Sequence, residues 1–549
     1  MHLRASLLTF IVLLVSSCGG GGSSAATAPE AQVRPITFLD SLPGNNATGV
    51  GVDGQVYSLV HTSVAGAEFS YQLDCDGLHT FTVKRMLEDI TDTLVDQLLD
   101  HKFVCPTGLE AGAAYTFGVA EARADGVRLE GSRGFTAGSD SSSIDILLEK
   151  RSSRMDVDAL FTHYISGALV NEIDLSLSLQ LLVLAFIIDF AESEWDNLAN
   201  PAGLYDVVSQ RVRYGSMQPD GVFSRELTGL IAYPDVAAVS TFEKRTEVIL
   251  LTHATGSTPS DLNESDAWYI LANLFAAQGY LVVAPDNYGR GGTSTFPETY
   301  LQANRTSLNA IALLTGVVDD PAYAFAFDAS EPVGLNIIGY SQGGHSAIAS
   351  WLEIARSHGS RFQTNSVSSG GAPLNLYRTV RGVMQHIEGS CDGDGYCALV
   401  DSETSVPFAT DRILPALITY SDTGLSSDEV IDEGGLNPAF VSGFLGDDPA
   451  YDNIRMLMQL SSFTNVASDV FSDAQVFVDL YHSEYDRLVP VDNTLEFASL
   501  LNGNVAMTLH DDACNSTAFR LLFEATDKVG VVHTICGLTV LDEVFSRLR

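Results

Sequence analysis

The sequence predicts a chain in two parts. A short all-β front precedes an α/β domain whose mostly parallel sheet is covered by helices on both faces. Three observations predict this. Short β runs broken by turn signals fill residues 35–138. From about Thr246, buried-type strands alternate with helix-length segments. The pentapeptide Gly339-Tyr340-Ser341-Gln342-Gly343 sits between one such strand and one such helix. The chain has 549 residues, too many for a single core at the usual ~100–200 residues per domain.

The amino terminus reads as an address. Arg4 is followed by an apolar run, Ala5–Val15, too short for a bilayer span at ~20 residues. Val15-Ser16-Ser17-Cys18 then resembles a bacterial lipoprotein signal, which implies removal of residues 1–17 and lipidation of Cys18. An ordinary secretory signal cut near Ala25–Ala28 is the alternative. Cysteine arithmetic favours the lipoprotein: of 7 Cys, setting Cys18 aside leaves an even number for an oxidising compartment. Sequence neighbours give the pairs Cys75–Cys105, Cys391–Cys397 and Cys514–Cys536. Residues 18–34, with a Gly/Ser tract at 19–24, read as a flexible tether, and residues 19–34 span about 20–25 Å end to end. The expected location is the bacterial envelope, at the outer membrane or cell surface, with membrane attachment through Cys18.

Residues 35–138 hold strand-length runs at Val56–Val60, Phe69–Leu73 and Phe81–Val83, with turns at Pro43–Asn46, Asp53-Gly54 and Asp125-Gly126. Pro106–Leu109, Ala114–Val119 and Gly134–Thr136 resemble bacterial Ig-like modules, which implies a β-sandwich spacer. Trp195, Trp268 and Trp351 all lie outside it, so the buried Trp of antibody-type domains is missing. Residues 139–245 begin with a polar linker and supply the first part of the α/β domain. Within them Leu175–Ile188 is nearly continuously apolar, either a buried core element or an apolar flap.

In the α/β region, Val248–Leu251, Tyr280–Ala284 and Leu335–Ile338 are predicted strands. Asp266–Gln278 is a predicted helix, capped by Ser265 or Asp266 and closed by Gly279. Gln342–Arg356 is the helix after the pentapeptide. Val476–Val478 and Val505–Leu509 are late strands, and Leu541–Leu548 a terminal helix.

Strand–Gly-x-Ser-x-Gly–helix is the context of a nucleophile elbow, which makes Ser341 the candidate nucleophile. A serine hydroxyl needs a base, and the base an orienting acid, later in the chain in the order Ser, acid, His. Asp486 follows the strand at 475–481 and is the candidate acid. Glu484 competes; Asp479 is inside the strand and Asp492 reads as a helix cap. His533, just before the terminal helix, is the candidate base. His510, beside Asp511 and Asp512, reads as a solvated turn and is its rival, while His253, His345 and His482 read as structural. The oxyanion donors are expected to be the backbone N–H groups of Gln342 and of Thr255, with Ala254 as the alternative to Thr255.

Val248–Gly256, Val282–Asp286 with Tyr288–Gly291, Gly339–Gly344, Asp486–Pro490 and His533 recur in the order of secretory lipases and related α/β-hydrolases. The chain resembles that branch over roughly residues 210–549. Ala254 departs from it, standing where the His-Gly-x turn of many esterases has Gly. The resemblance implies an α/β-hydrolase fold with core residues 246–373 and 475–549, a cap or lid at 374–474, hydrolysis of small-molecule or lipid carboxylic esters, and no metal or organic cofactor. It leaves peptidase and polyester-hydrolase activities on the same fold open, and an inert surface-tethered binding protein is a third reading. Asp392-Gly393-Asp394-Gly395 fails the calcium-loop pattern because Tyr396 and Cys397 follow. A formal charge of −40 argues against a nucleic-acid partner and against docking on anionic lipid.

Overall fold

The computed structural model describes strands and some connections between Thr37 and Ala137, and most of residues 144–549. Residues 1–36, 83–96, 138–143, 161–197, 466–475 and 526–529 are the longer stretches outside the description. Cys18, Cys105, Trp195 and the Leu175–Ile188 run therefore lie outside the described residues.

The front segment forms two sheets. Strands β1 (Thr37–Leu42), β3 (Gln55–Thr62) and β6 (Gln97–Val104) pair antiparallel in the order β1-β3-β6. Strands β2 (Ala47–Val50), β4 (Glu68–Leu73), β5 (Gly77–Thr82), β7 (Ala114–Ala122) and β8 (Arg128–Ala137) give a five-stranded sheet ordered β2-β8-β7-β4-β5. Phe117, Val119 and Phe135 on β7 and β8 are buried.

The main sheet has nine strands. In chain order they are β9 (Asp145–Ser152), β10 (Val207–Met217), β11 (Phe223–Pro234), β12 (Glu247–Thr252), β13 (Leu281–Pro285), β14 (Val333–Tyr340), β15 (Phe362–Gly370), then β18 (Phe477–Tyr481) and β19 (Ala506–His510). The two-residue strands β16 (Ile431–Asp432) and β17 (Gly435–Leu436) pair only with each other. The spatial order is β19-β18-β15-β14-β12-β13-β11-β10-β9. From β13 to β19 every pairing is parallel, whereas β11, β10 and β9 run antiparallel at the other edge. This order, with helices between the parallel strands, fits an α/β-hydrolase fold.

The helices of the sheet are α1 (Ala267–Ala277), α2 (Ala303–Asp319) and α3 (Gln342–Glu353). Strand side chains alternate between two buried faces, as the period of two requires. Val248, Leu250, Leu281, Val283, Leu335 and Ile337 pack with residues of α2 and α3, including Leu314, Ile348 and Trp351. Ile249, Leu251, Val282, Ala284, Ile338 and Tyr340 pack with α1 and the terminal helix. Each such aliphatic side chain contributes roughly 1.5–3 kcal/mol by leaving water.

The chain between β15 and β18 is a helical insertion of α4 (Leu376–Glu388), α5 (Gly395–Ala398), α6 (Ser402–Phe408), α7 (Leu414–Tyr420), α8 (Ser427–Val430), α9 (Pro438–Leu445) and α10 (Asp452–Leu460). It has its own apolar cluster, which takes in Leu376, Met384, Leu414, Phe440 and Met458, and joins Tyr300 and Leu301 of the sheet domain. Its buried Arg455 donates to the Phe444 and Asp448 carbonyls and to Asp452. After β18 come α11 (Asp492–Leu501), α12 (Thr517–Ala525) and α13 (Gly530–Leu548).

Two sequence expectations change here. The helix after the pentapeptide is α-helical only to Glu353 and ends in a π turn, Ile354–His358. The terminal helix begins at Gly530 rather than Leu541, so His533 lies in its first turn. Val531, Val532, Thr534 and Ile535 are weak helix formers alone. Burial of Val532 and Ile535 and the Cys514–Cys536 disulfide hold them helical. The Cys391–Cys397 disulfide also forms. Among the described residues no helix is long and apolar enough to cross a membrane.

Asp266 caps α1 and accepts from the Trp268 and Tyr269 amides. It also accepts from the Ser257 hydroxyl and the Thr258 amide, which fastens the loop after β12 to the helix. Asp266→Ala should lower unfolding free energy by roughly 1–2 kcal/mol, read as a shift in urea midpoint at unchanged slope.

Candidate active site

Ser341 follows β14 directly and caps α3 with φ 56° and ψ −124°. A left-handed φ on a residue with a side chain is strained and needs an enclosing structure to hold it. Gly339 and Gly343 make the turn possible. A Cβ at Gly339 would lie 2.1 Å from the Gly343 carbonyl oxygen, and one at Gly343 would lie 2.2 Å from that of Thr252. The Ser341 amide donates to the Gly370 carbonyl at 2.8 Å, while the Thr252 hydroxyl donates to the Gly343 carbonyl at 2.7 Å. The side chain of Ser341 is thereby presented at the amino end of a helix, where backbone N–H groups favour negative charge.

His533 and Asp486 meet as a buried pair. His533 Nδ1 lies 2.6 Å from Asp486 Oδ2. The Leu488 and Val489 amides donate to Asp486 Oδ1 at 2.8 and 3.0 Å. His482 Nε2 is 3.5 Å from Oδ2 and also donates to the Val489 carbonyl at 2.9 Å. Burial alone would raise the Asp486 pKa. Attraction to His533 and the hydrogen bond from His482 outweigh it and hold the carboxyl far below the ordinary carboxylate range. With Nδ1 on the carboxylate, His533 turns Nε2 away; among the described residues that buried nitrogen has no hydrogen-bond partner.

Tyr340 fixes the imidazole. Its hydroxyl donates to the His533 carbonyl at 2.7 Å, and its ring lies 5.0 Å from the imidazole centre. Gly371 and Gly537 leave room for that ring: a Cβ at either would fall within 2.9 Å of it. The disulfide and the Ser483 hydroxyl bond to the Cys514 carbonyl join the acid's loop to the helix that carries His533.

Ser341, His533 and Thr255 line one cavity of about 480 Å³. Trp268, Leu488, Leu538, Leu541 and, from the insertion, Phe408 add apolar wall. Asp266 also borders it, but its carboxylate is saturated by the four donors named above.

The other candidates fall elsewhere. Glu484 is exposed, its amide held by the Asn515 side chain at 2.7 Å. His510 ends β19 rather than lying in a solvated turn. It stacks on Tyr481 and holds Asp479 at 2.8 Å, in a cluster with Arg547 that ties α13 to the sheet. His345 is fully buried and donates to the Ser461 carbonyl at 2.9 Å; burial lowers its pKa to about 4, so it is neutral. His253 accepts from the Asn287 amide and donates to the Ala254 carbonyl, bracing the loop that carries Thr255. Asp394 of the acidic Gly-rich stretch accepts from the Tyr396 amide and pairs with Arg378, as a turn residue does.

Two residues, Glu298 and Tyr300, drew no notice in the sequence, and Asp286 entered only as the end of a motif. Asp286 is buried at the end of β13 and accepts from Thr228 and Ser260 at 2.6 and 2.5 Å; burial pushes its carboxyl up against those bonds. Glu298 accepts from the Gln342 side chain and from Asn287 and Arg290. Tyr300 pairs through its hydroxyl with the Thr255 hydroxyl at 2.7 Å. Val282–Asp286 with Tyr288–Gly291 was visible as a motif, but nothing local marks Glu298 or Tyr300.

No family model matches the chain, and no curated protein matches it. Among solved structures it is similar to a Legionella pneumophila protein, with 17% identity over 74% of this chain and 97% of that one, at TM-score 0.48. It is similar to the rice cell wall degrading esterase LipA from Xanthomonas oryzae, with 16% identity over 74% and 98%, at TM-score 0.45. For Candida antarctica lipase A the values are 12% identity, 56% and 72% coverage, and TM-score 0.32.

Two outcomes test this geometry. Gly343→Ala should destabilise the fold by roughly 1–3 kcal/mol or more, measured by urea unfolding, because the added methyl meets backbone. Asp486 titrates lower folded than unfolded, where a carboxyl sits near ~3.9, so its stabilisation is present above that pH and is lost as pH falls. Wild-type stability should therefore drop below about pH 4, and Asp486→Asn should flatten that drop in unfolding curves taken across the acid range.

Proposed function

We propose that the protein is a serine hydrolase that cleaves carboxylic esters through an acyl-enzyme. One observation carries the reading. A strained serine at a helix amino end shares a cavity with a histidine whose Nδ1 is bound to a buried carboxylate and whose Nε2 has no partner among the described residues.

Ser341 Oγ attacks the acyl carbon and passes its proton to His533 Nε2. Asp486 keeps the Nδ1–H tautomer and stabilises the imidazolium as it forms. The carbonyl oxygen becomes an oxyanion held by the backbone N–H groups of Gln342 and Thr255. Collapse expels the alcohol, which takes the proton from His533. Water, activated by the same histidine, then releases the acid and restores Ser341. No step calls for a metal or an organic cofactor.

The wall chemistry favours an uncharged ester. Among the described residues that line the cavity the one carboxylate, Asp266, is saturated, and Trp268, Leu538, Leu541 and Phe408 offer apolar surface. The helical insertion is read as a cap, and the front sheets as an Ig-like β-sandwich spacer. Attachment to the envelope is assigned to acyl chains on Cys18, because a surface of charge −40 would be repelled by anionic lipid. The Cys391–Cys397 and Cys514–Cys536 disulfides suit an exported protein.

Ser341→Ala should abolish hydrolysis of p-nitrophenyl esters, a loss of at least ~10⁴-fold, and should no longer take a fluorophosphonate label. Wild-type turnover by that variant, or no label on folded wild-type protein, would remove the assignment and favour an inert surface protein. Leu541→Trp, which fills the cavity, should cut kcat/KM for octanoyl esters far more than for acetyl esters in a chain-length series.

A further inference from the structure

The loop around residues 297–302 is the seam between the sheet domain and the helical insertion. The Gln302 side-chain Nε2 donates to the Ala416 carbonyl at 2.7 Å, and the Tyr420 hydroxyl donates to the Pro297 carbonyl at 2.6 Å. Leu301, 2% exposed, is held at φ 54°, a left-handed backbone on a large side chain that only tight enclosure sustains.

Between these anchors the loop reaches toward both residues read above as oxyanion donors. Glu298 Oε1 accepts from the Gln342 side chain at 2.5 Å and from Asn287 at 3.3 Å, and Oε2 accepts from Arg290 at 3.1 Å. Tyr300 meets the Thr255 hydroxyl at 2.7 Å. Both then face one residue of the insertion. Arg412 Nη1 lies 3.7 Å from Glu298 Oε2, and its guanidinium lies 5.7 Å from the Tyr300 ring centre. The same guanidinium is 6.0 Å from the ring of Phe408, which lines the cavity.

We propose that Arg412 is a positioning residue: seated between Glu298 and Tyr300, it couples the helical insertion to the geometry of the two oxyanion-hole donors. The proposal rests on the ester-hydrolase reading. The Glu298 side chain is 10% exposed and that of Arg412 37%, so the pair is shielded from solvent on the Glu298 side only. Glu298 in turn fixes Gln342, the residue whose backbone faces the developing negative charge. Tyr300 fixes Thr255 from the other side. Withdrawing Arg412 would leave both donors in place but less well aimed, and a loss of aim costs turnover rather than ground-state binding.

The test is kinetic, on full-length exported protein. Arg412→Met and Glu298→Gln should each lower kcat for p-nitrophenyl butyrate roughly 10-fold, with KM changed less than about twofold. Affinity for an alkyl trifluoromethyl ketone, whose hemiketal oxyanion occupies the same donors, should fall in parallel with kcat. The double variant should lose less than the product of the two single losses, since the Glu298 arm is common to both. Arg412→Lys, which keeps the charge, should fall between wild type and Arg412→Met. It also serves as the reporter if Arg412→Met does not fold by circular dichroism. Unchanged kcat and ketone affinity in folded Arg412→Met would overturn the proposal. So would multiplicative losses in the double variant, or a rise in KM alone. If Ser341→Ala remains active, the ester-hydrolase reading has failed; if it is dead while Arg412→Met behaves as wild type, only the coupling has failed.

Discussion

The structure turns on a backbone passage: β14 becomes α3 with one strained residue between them. The passage can exist only because bare backbone faces bare backbone at Gly339, Gly343 and Thr252. That contact fixes α3 against the sheet, and so determines where a reacting group can be displayed. The surroundings are built to hold the passage rather than to relax it. The Gly370 carbonyl takes the Ser341 amide, and the Thr252 hydroxyl spans the Ile338 and Gly343 carbonyls. The parallel strands bring their carboxyl ends to the same rim, so the loops after β12, β14, β15 and β18 have only to meet there.

The second group of constraints concerns orientation of the imidazole. A histidine on a helix has freedom about two side-chain torsions, and this one has it removed from every direction. Asp486 takes Nδ1, Tyr340 grips the main chain, and glycine on each side lets the phenol ring approach. Asp486 is itself immobilised by two amides and by His482, a residue that looks inert when read along the chain. The lowered pKa of that carboxyl is the electrostatic trace of its contacts with His533 and His482.

Legibility in the sequence followed the range of the forces involved. The Ser341 turn is local: five residues and their flanking strand and helix contain its cause. Asp486 and His533 were legible by order, since topology places one after the late strand and the other near the terminal helix. The start of that helix was not legible, because Val531, Val532, Thr534 and Ile535 disfavour helix until burial and a disulfide act on them. Glu298, Tyr300 and Arg412 were hidden for another reason. The contacts that join them to Gln342, Thr255 and one another cross long sequence separations, and a lone Glu, Tyr or Arg in a loop or helix carries no periodicity to betray it. His510 misled in the opposite way: two neighbouring acids suggested solvent, whereas its partners are Asp479 and Tyr481 on the adjacent strand.

The surroundings of glycines 339, 343, 371 and 537 and the cavity wall have unequal tolerance for change. Around the serine and the tyrosine there is no spare volume, and any side chain there would collide with main chain or ring. Along the wall formed by Trp268, Leu538, Leu541 and Phe408 the atoms border open space instead. Variation accumulating in this chain, or introduced into it at will, has somewhere to go only along that wall. That wall can thus be reshaped without disturbing Ser341, Asp486 or His533.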